Sequence, residues 1–117
     1  MSKKAVSGFG AKINISREAL DENILEGLIS YDLSIEGIQW KILLNYLYIY
    51  SNKAQQILEQ QALDKSFPLV NVTLTTPDGT KYFGRGRARE VHIESPSEDA
   101  IKVFADFGGL EGLLKIS

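Results

Sequence analysis

Three arginines at two-residue spacing are the sharpest local feature that could do chemistry. They lie in the run Gly84-Arg85-Gly86-Arg87-Ala88-Arg89. If this run is an extended strand, the three side chains share one face and suit phosphates or a row of carboxylates. The run is not a phosphate loop, because it lacks a third glycine, a Lys-Ser/Thr pair and a helix start. It predicts a solvated strand face, a nucleic-acid surface or a subunit contact.

A block of carboxylates precedes this basic segment. Residues 18–36 contain six acidic residues and no Lys or Arg, whereas residues 81–89 contain four basic residues and no acid. Separated blocks of opposite sign can pair within one subunit or between neighbouring copies, where they guide register more than they add affinity. Both options are open from the sequence. The candidate interface residues are Arg85, Arg87, Arg89, Glu18, Asp21, Glu22 and Glu26.

No other group of side chains forms a recognisable catalytic or metal-binding pattern. His92 is the only histidine and cannot build a metal site alone, so we expect a surface residue. Glu94, Glu98 and Asp99 lack the ligand spacing of a calcium loop and are expected to form a turn. The chain has no cysteine, which excludes disulfides and thiolate sites and suits folding in a reducing compartment. We expect no enzyme activity, no cofactor and no metal.

Composition favours one ordinary domain. The chain has 117 residues and a formal net charge of −2, which gives no overall attraction to nucleic acid or to an anionic membrane. The basic start has no apolar segment behind it, and the apolar run from Ile42 to Tyr50 is far shorter than the roughly 20 residues that span a bilayer. We expect no membrane partner, a flexible arm over residues 1–10 and a single β domain over residues 11–117.

Alternation of apolar and polar residues predicts most of the elements that must position these side chains. It predicts strands over residues 12–17, 31–36, 69–76, 81–94 and 100–107. Thr76-Pro77-Asp78-Gly79-Thr80 and Ser95-Pro96-Ser97-Glu98-Asp99 predict turns, and residues 18–27 a loop or a single helical turn. An apolar stripe at three- and four-residue steps favours a helix from Trp40 to Leu63, whereas the propensities of the run Tyr46-Leu47-Tyr48-Ile49-Tyr50 alone would also allow a strand.

The order is strand, strand, helix and then a meander of three strands, with no βαβ repeat. Such a chain predicts a mainly β fold, an antiparallel β-sandwich or barrel with one flanking α-helix.

Three segments of the chain resemble the major tail, or tail tube, proteins of long-tailed bacteriophages. Lys12-Ile13-Asn14-Ile15-Ser16-Arg17-Glu18-Ala19-Leu20-Asp21 looks like the family's first strand running into Ser-Arg-Glu and an Asp. Gly27 to Gly37 looks like its Gly-Leu, aromatic, alternating strand that ends in Glu-Gly. Tyr82 to Leu110 is similar to its closing hairpin. Between Asp21 and Gly27 the chain is shorter than the family's insert, which tends to reach a neighbouring ring.

The resemblance implies a structural virion protein made in the host bacterial cytoplasm. Its copies would form rings, usually hexameric, that stack into a tube, contact other tail proteins and let DNA pass as cargo. Two alternatives stay open. One is a related tail-completion or secretion-system tube-like protein, and the other is a small nucleic-acid-binding β domain that uses the strand of Arg85, Arg87 and Arg89.

Overall fold

The structure is a computed structural model, and it describes residues 3–17, 21–37, 39–47, 52–97, 100–109 and 114–115. These residues form nine strands and one helix. In chain order they are β1 (Lys3–Phe9), β2 (Lys12–Ser16), β3 (Ile24–Glu26), β4 (Ser30–Glu36), β5 (Gln39–Leu47), α1 (Lys53–Leu63), β6 (Val70–Thr75), β7 (Lys81–Ser97), β8 (Ala100–Gly109) and β9 (Leu114–Lys115).

The strands form one antiparallel path in the order β1-β4-β5-β8-β7-β6-β2-β3, with β9 paired to β7. The 17-residue strand β7 belongs to both halves of this path. Its residues 81–86 pair with β6, and its residues 87–97 pair with β8. The predicted mainly β fold with antiparallel strands and one helix is confirmed.

Glycines permit the close backbone approach where β7 passes from one half to the other. A Cβ at Gly86 would lie 2.2 Å from the carbonyl oxygen of Gly108, and one at Gly109 would lie 2.5 Å from that of Arg85. Both distances are far inside van der Waals contact, so no side chain fits there. The indole of Trp40 closes the same space, 2.9 Å from the Cβ position of Gly109. Gly86, in the middle of the arginine run, is therefore required by the backbone packing.

The core lies between the two halves. Ile13, Val72 and Leu74 from one half and Ile42 and Phe107 from the other belong to one cluster of buried side chains. Trp40 stacks on Phe107 with ring centroids 5.6 Å apart. Burial of this apolar surface is the main stabilising contribution to the fold.

The predicted helix from Trp40 to Leu63 is correct only in its second half. Helix α1 begins after Asn52, whose side-chain oxygen accepts a hydrogen bond from the backbone N–H of Gln55 at 3.0 Å. Residues Gln39–Leu47 instead form β5, with strictly alternating exposed and buried side chains. The helical stripe was misleading because Leu43 and Leu47, on the outer face of β5, are also apolar. The buried positions Trp40, Ile42, Leu44 and Tyr46 keep the two-residue period of a strand.

The structure also differs from the prediction of a flexible N-terminal arm. Strand β1 pairs with β4 along its whole length, from Lys3 opposite Glu36 to Phe9 opposite Ser30. Its small and polar residues hide this role because only Val6 packs against the core. The short strand β3, paired with β2, was likewise missed inside the segment predicted as a loop or helical turn.

The other predicted strands are found as β2, β4, β6, β7 and β8. The turn after β6 is confirmed, since the N–H of Gly79 donates to the carbonyl of Thr76 at 2.9 Å and Gly79 has a φ of +91°. At the predicted acidic turn, β7 continues to Ser97, which pairs with Ala100. Glu98 and Asp99 lie outside the described residues.

Candidate assembly surfaces

The three arginines of β7 line one open groove with a volume of about 840 Å³. Their positions agree with the predicted common face, although the pairing register shifts between Ala88 and Glu90. The groove lies at the place where β7 crosses between the two halves of the sheet. Its lining residues that matter here are Glu36, Trp40, Lys41, Arg85, Arg87 and Arg89.

Arg87 is engaged within its own chain. Its guanidinium donates to the backbone carbonyls of Lys65 at 2.9 Å, Gln61 at 3.0 Å and Asp64 at 3.1 Å. These carbonyls lie at and just beyond the C-terminal end of α1, where the helix leaves acceptors without intrahelical donors and where a cation is favourable. Arg87 therefore holds the helix end against β7.

Arg89 is also engaged within its own chain. Its Nη2 atom lies 2.8 Å from Oδ1 of Asp106 on the neighbouring strand β8, and Nζ of Lys41 lies 3.7 Å from Oδ2 of the same carboxylate. Asp106 was not among the candidate residues from the sequence, because its pairing with Arg89 depends on the register of β7 against β8. This charge cluster spans β5, β8 and β7.

Arg85 is exposed and has no hydrogen bond or ion pair among the described residues. A second unsatisfied donor lies in the wall of the same groove. The indole Nε1 of Trp40 is buried and has no hydrogen-bond partner in the described part of the chain. A buried donor without an acceptor is unfavourable by about 1–3 kcal/mol. The groove thus presents one guanidinium that has no partner among the described residues, and a second unpaired donor lies buried in its wall.

The acidic candidates, like the arginines, include one residue held within its own chain and others that have no partner among the described residues. The Asp21 carboxylate accepts from the backbone N–H of Arg17 at 3.0 Å, from Arg17 Nε at 3.2 Å and from Asn23 Nδ2 at 2.8 Å. The hydrogen bond from the Arg17 backbone N–H is the main cause that lowers the pKa of Asp21. Glu22 and Glu26 are exposed and have no partner among the described residues, and Glu18 lies outside them.

No ion pair joins the acidic set to the arginines within the described part of one chain. The reason is the position of α1. Asn52, at the start of the helix, donates to the carbonyl of Ile24 in β3 at 3.0 Å, whereas Arg87 holds the other end. Eleven helical residues span about 16 Å. Pairing of the acidic block with the arginines inside one subunit, one of the two options left by the sequence, is not found there.

The two ends of the sheet path differ in accessibility. At the β3 end, the side-chain amide of Asn52, the N-cap residue of α1, donates a hydrogen bond to the carbonyl of Ile24. On the other side, β1 pairs with β4 alone among the described strands, so its second edge is open over seven residues. Two large apolar side chains are exposed near the end of β1, Phe9 at 57% and Leu28 at 69%. An open strand edge with exposed apolar side chains is a site for strand addition.

The last candidate side chain from the sequence is His92. His92 is exposed, as predicted, with Nε2 3.2 Å from Oε1 of Glu94 and its ring tilted against Phe104. The described residues contain no cluster of three or more His, Cys, Asp or Glu side chains that could hold a metal ion. Within the same residues, no helix has the length and apolar character needed to cross a membrane.

No protein-family model matches the sequence, and a search of curated proteins finds no significant match.

Sequence reasoning found the arginine run and the acidic block. It missed the open edge of β1 and the place of Trp40 in the groove. Gly84 and Gly86 were the available signal for the groove, because glycines inside a strand often mark a close backbone approach.

Proposed function

We propose that this chain is a structural subunit that assembles with copies of itself into rings, and that these rings stack into a phage-type tail tube through which DNA passes. The protein would then act in the virion tail after folding in the host cytoplasm. The open edge of β1 is the observation that carries this proposal.

The edge supports assembly because its backbone groups have no partner strand on one side. An exposed strand of seven residues invites uncontrolled association unless another chain covers it. A ring in which a segment of the next copy adds to this edge at every contact satisfies these groups without leaving a free end. The exposed Phe9 and Leu28 add apolar surface next to the same edge.

The three segments that resemble the tail tube family have positions compatible with this role. The first begins with β2, the second contains β4, and the third covers β7 from Tyr82 onward and all of β8. The second segment directly supports the edge strand, since β4 is the one described neighbour of β1. A tail-completion or secretion-system tube-like protein could use the same edge without stacking its rings.

Proline substitution at consecutive positions of β1 tests the proposal. Backbone N–H groups alternate between the two sides of a strand, so one of Lys4→Pro and Ala5→Pro removes a donor from the open edge and the other removes one facing β4. We expect the first of these to fold normally and to lose assembly. The second should lose stability, which thermal unfolding would detect.

Assembly is measured by sedimentation velocity and negative-stain electron microscopy of the full chain. Wild-type protein should give rings or tubes, and rings that never stack would favour the tail-completion alternative. If both proline variants assemble like the wild type, the edge is not the contact. A wild-type chain that remains monomeric at high concentration would overturn the proposal itself.

A further inference from the structure

We infer that the groove around Arg85 receives the carboxylates of Glu22 and Glu26 from a second copy of this chain. This inference rests on the proposed assembly and names the contact that sets its register. It narrows the seven candidate interface residues to three, because Arg87, Arg89 and Asp21 are held by groups of their own chain and Glu18 lies outside the described residues.

The groove contains hydrogen-bond donors that have no acceptor among the described residues. Arg85 is the one basic side chain of the groove that has no ion pair or hydrogen bond among the described residues. The buried Nε1 of Trp40 lies in the same wall, beside Gly109. A guanidinium and a carboxylate form the strongest type of side-chain hydrogen bond, often with two parallel contacts. A carboxylate that enters the groove therefore meets the Arg85 guanidinium, which has no other partner among the described residues.

On the second copy, the carboxylates of Glu22 and Glu26 accept no hydrogen bond from the described residues of their own chain. Glu22 and Glu26 flank or end the short strand β3 and are both exposed. Strand β3 lies three strands from β7 in the sheet path, which is about 14 Å across the sheet. Helix α1 separates the same two regions. The free acids therefore reach an Arg85 only on another molecule, and two different patches of one subunit meet in a head-to-tail contact.

The groove fits a carboxylate better than a nucleic acid. Nucleic-acid grooves combine cations with aromatic rings on which bases stack, but Trp40 is only 3% exposed. The net charge of −2 opposes the long-range attraction that drives non-specific DNA binding.

A charge-swap experiment tests the contact in the full-length chain. Arg85→Glu forms one variant, and Glu22→Arg with Glu26→Arg forms the other. Each variant alone places like charges at every contact, and we expect a loss of association affinity of about tenfold or more. In an equal mixture the two variants can alternate, which restores opposite charges at every contact. The mixture should therefore return to within about threefold of wild-type affinity.

Sedimentation velocity measures the association, and the fluorescence of Trp40, the only tryptophan, reports the groove directly. Lys81→Glu is the matched control, because Lys81 is exposed on the same strand but does not line the groove. It should assemble like the wild type. Circular dichroism at equal concentrations checks that all variants are folded.

The outcomes separate this inference from the proposed function. If the swapped variants assemble normally while a proline in β1 prevents assembly, the groove contact is wrong and the edge contact stands. Weakened variants that the mixture fails to rescue also overturn the pairing. If Arg85→Glu leaves assembly intact but removes salt-sensitive binding of a DNA duplex, the groove is a nucleic-acid site instead. A wild-type chain that never associates overturns both proposals.

Discussion

Arg87 shows how a side chain that looks available in the sequence can be committed by the fold. Three backbone carbonyls around the end of α1 accept from its guanidinium. Of the three arginines expected to act together, one binds the end of a helix, one pairs with a carboxylate and one has no partner among the described residues. A two-residue spacing predicts a shared face correctly, but it does not say which members of that face are already engaged.

Replacing Arg87 by alanine should destabilise the fold by about 1.5–3 kcal/mol, because hydrogen bonds from a charged donor are lost at the helix end. Chemical denaturation measures this free energy of unfolding. Arg85→Ala is the control on the same strand face and should change stability by less than about 0.5 kcal/mol. Equal losses for the two variants would contradict the capping role.

Asp78 should make the β6–β7 turn sensitive to acid. Hydrogen bonds from the Thr76 hydroxyl and then from the Thr80 backbone N–H lower the pKa of Asp78 below its ordinary value. The ionised carboxylate therefore adds stability above the pKa of the unfolded chain, and this stability is lost as pH falls through the lower folded-state pKa. The loss belongs to the acidic range, below about pH 4.

The prediction is that Asp78→Asn is less stable than the wild type near neutral pH and that the difference shrinks toward about pH 2. Urea unfolding at a series of pH values measures it. Asp32→Asn serves as the control, because Asp32 is an exposed residue of strand β4 and lies outside the β6–β7 turn. A constant difference between wild type and Asp78→Asn at all pH values would exclude the carboxylate charge as the cause.

At the scale of elements, α1 is attached to the sheet by a buried amide as well as by apolar packing. Gln61 donates from Nε2 to the carbonyl of Pro68 at 3.0 Å, and its Oε1 accepts from the backbone N–H of Ala88 at 2.9 Å. Both side-chain groups of the amide are thus satisfied. The contact fixes the helix against the second half of β7, next to the carbonyls that Arg87 binds.

Gln61→Leu should keep the volume of this side chain but leave the N–H of Ala88 buried without an acceptor. We expect a loss of about 1–3 kcal/mol in the free energy of unfolding. Gln60→Leu, at the exposed neighbouring position, is the control and should have little effect. Hydrogen exchange of the Ala88 amide gives a local readout, since it should accelerate in Gln61→Leu and not in Gln60→Leu.

The elements that the sequence predicted well are those with one clear period. Strands β2, β4 and β6 alternate cleanly, and α1 has the composition of a helix. The prediction of β5 failed because apolar residues on both of its faces fit a helical stripe as well as a strand pattern. The prediction of β1 failed because pairing with β4, rather than its own apolar residues, makes it a strand. Non-local pairing of this kind leaves little trace in a single sequence.

The same limit applies to the candidate site. The arginines and the acids were visible as blocks of charge, whereas their internal partners depend on register and on the position of α1. Asp106 meets Arg89 only because β8 lies beside β7. The distinction between committed and free charges therefore required the structure.

At the scale of the whole molecule, association through the edge and through the groove should respond differently to salt. Raising NaCl from about 0.05 M to about 0.5 M shortens the screening length several-fold and weakens contacts between exposed charges. We expect wild-type association to weaken over this range. Arg85→Glu should lose that dependence or reverse it, and sedimentation velocity at matched protein concentrations measures the change. Identical salt dependence in the two proteins would exclude Arg85 from the contact.

Strand β7 also determines how the domain comes apart. A single continuous segment is hydrogen-bonded to β6 over residues 81–86 and to β8 over residues 87–97. Because these two stretches are separate, one half of the sheet can lose its pairing with β7 while the other half keeps its own. A tensile load applied between neighbouring molecules would still pass from one half to the other through this one backbone. Local fraying should begin at the outermost strands of the path, which have a paired strand on one side only.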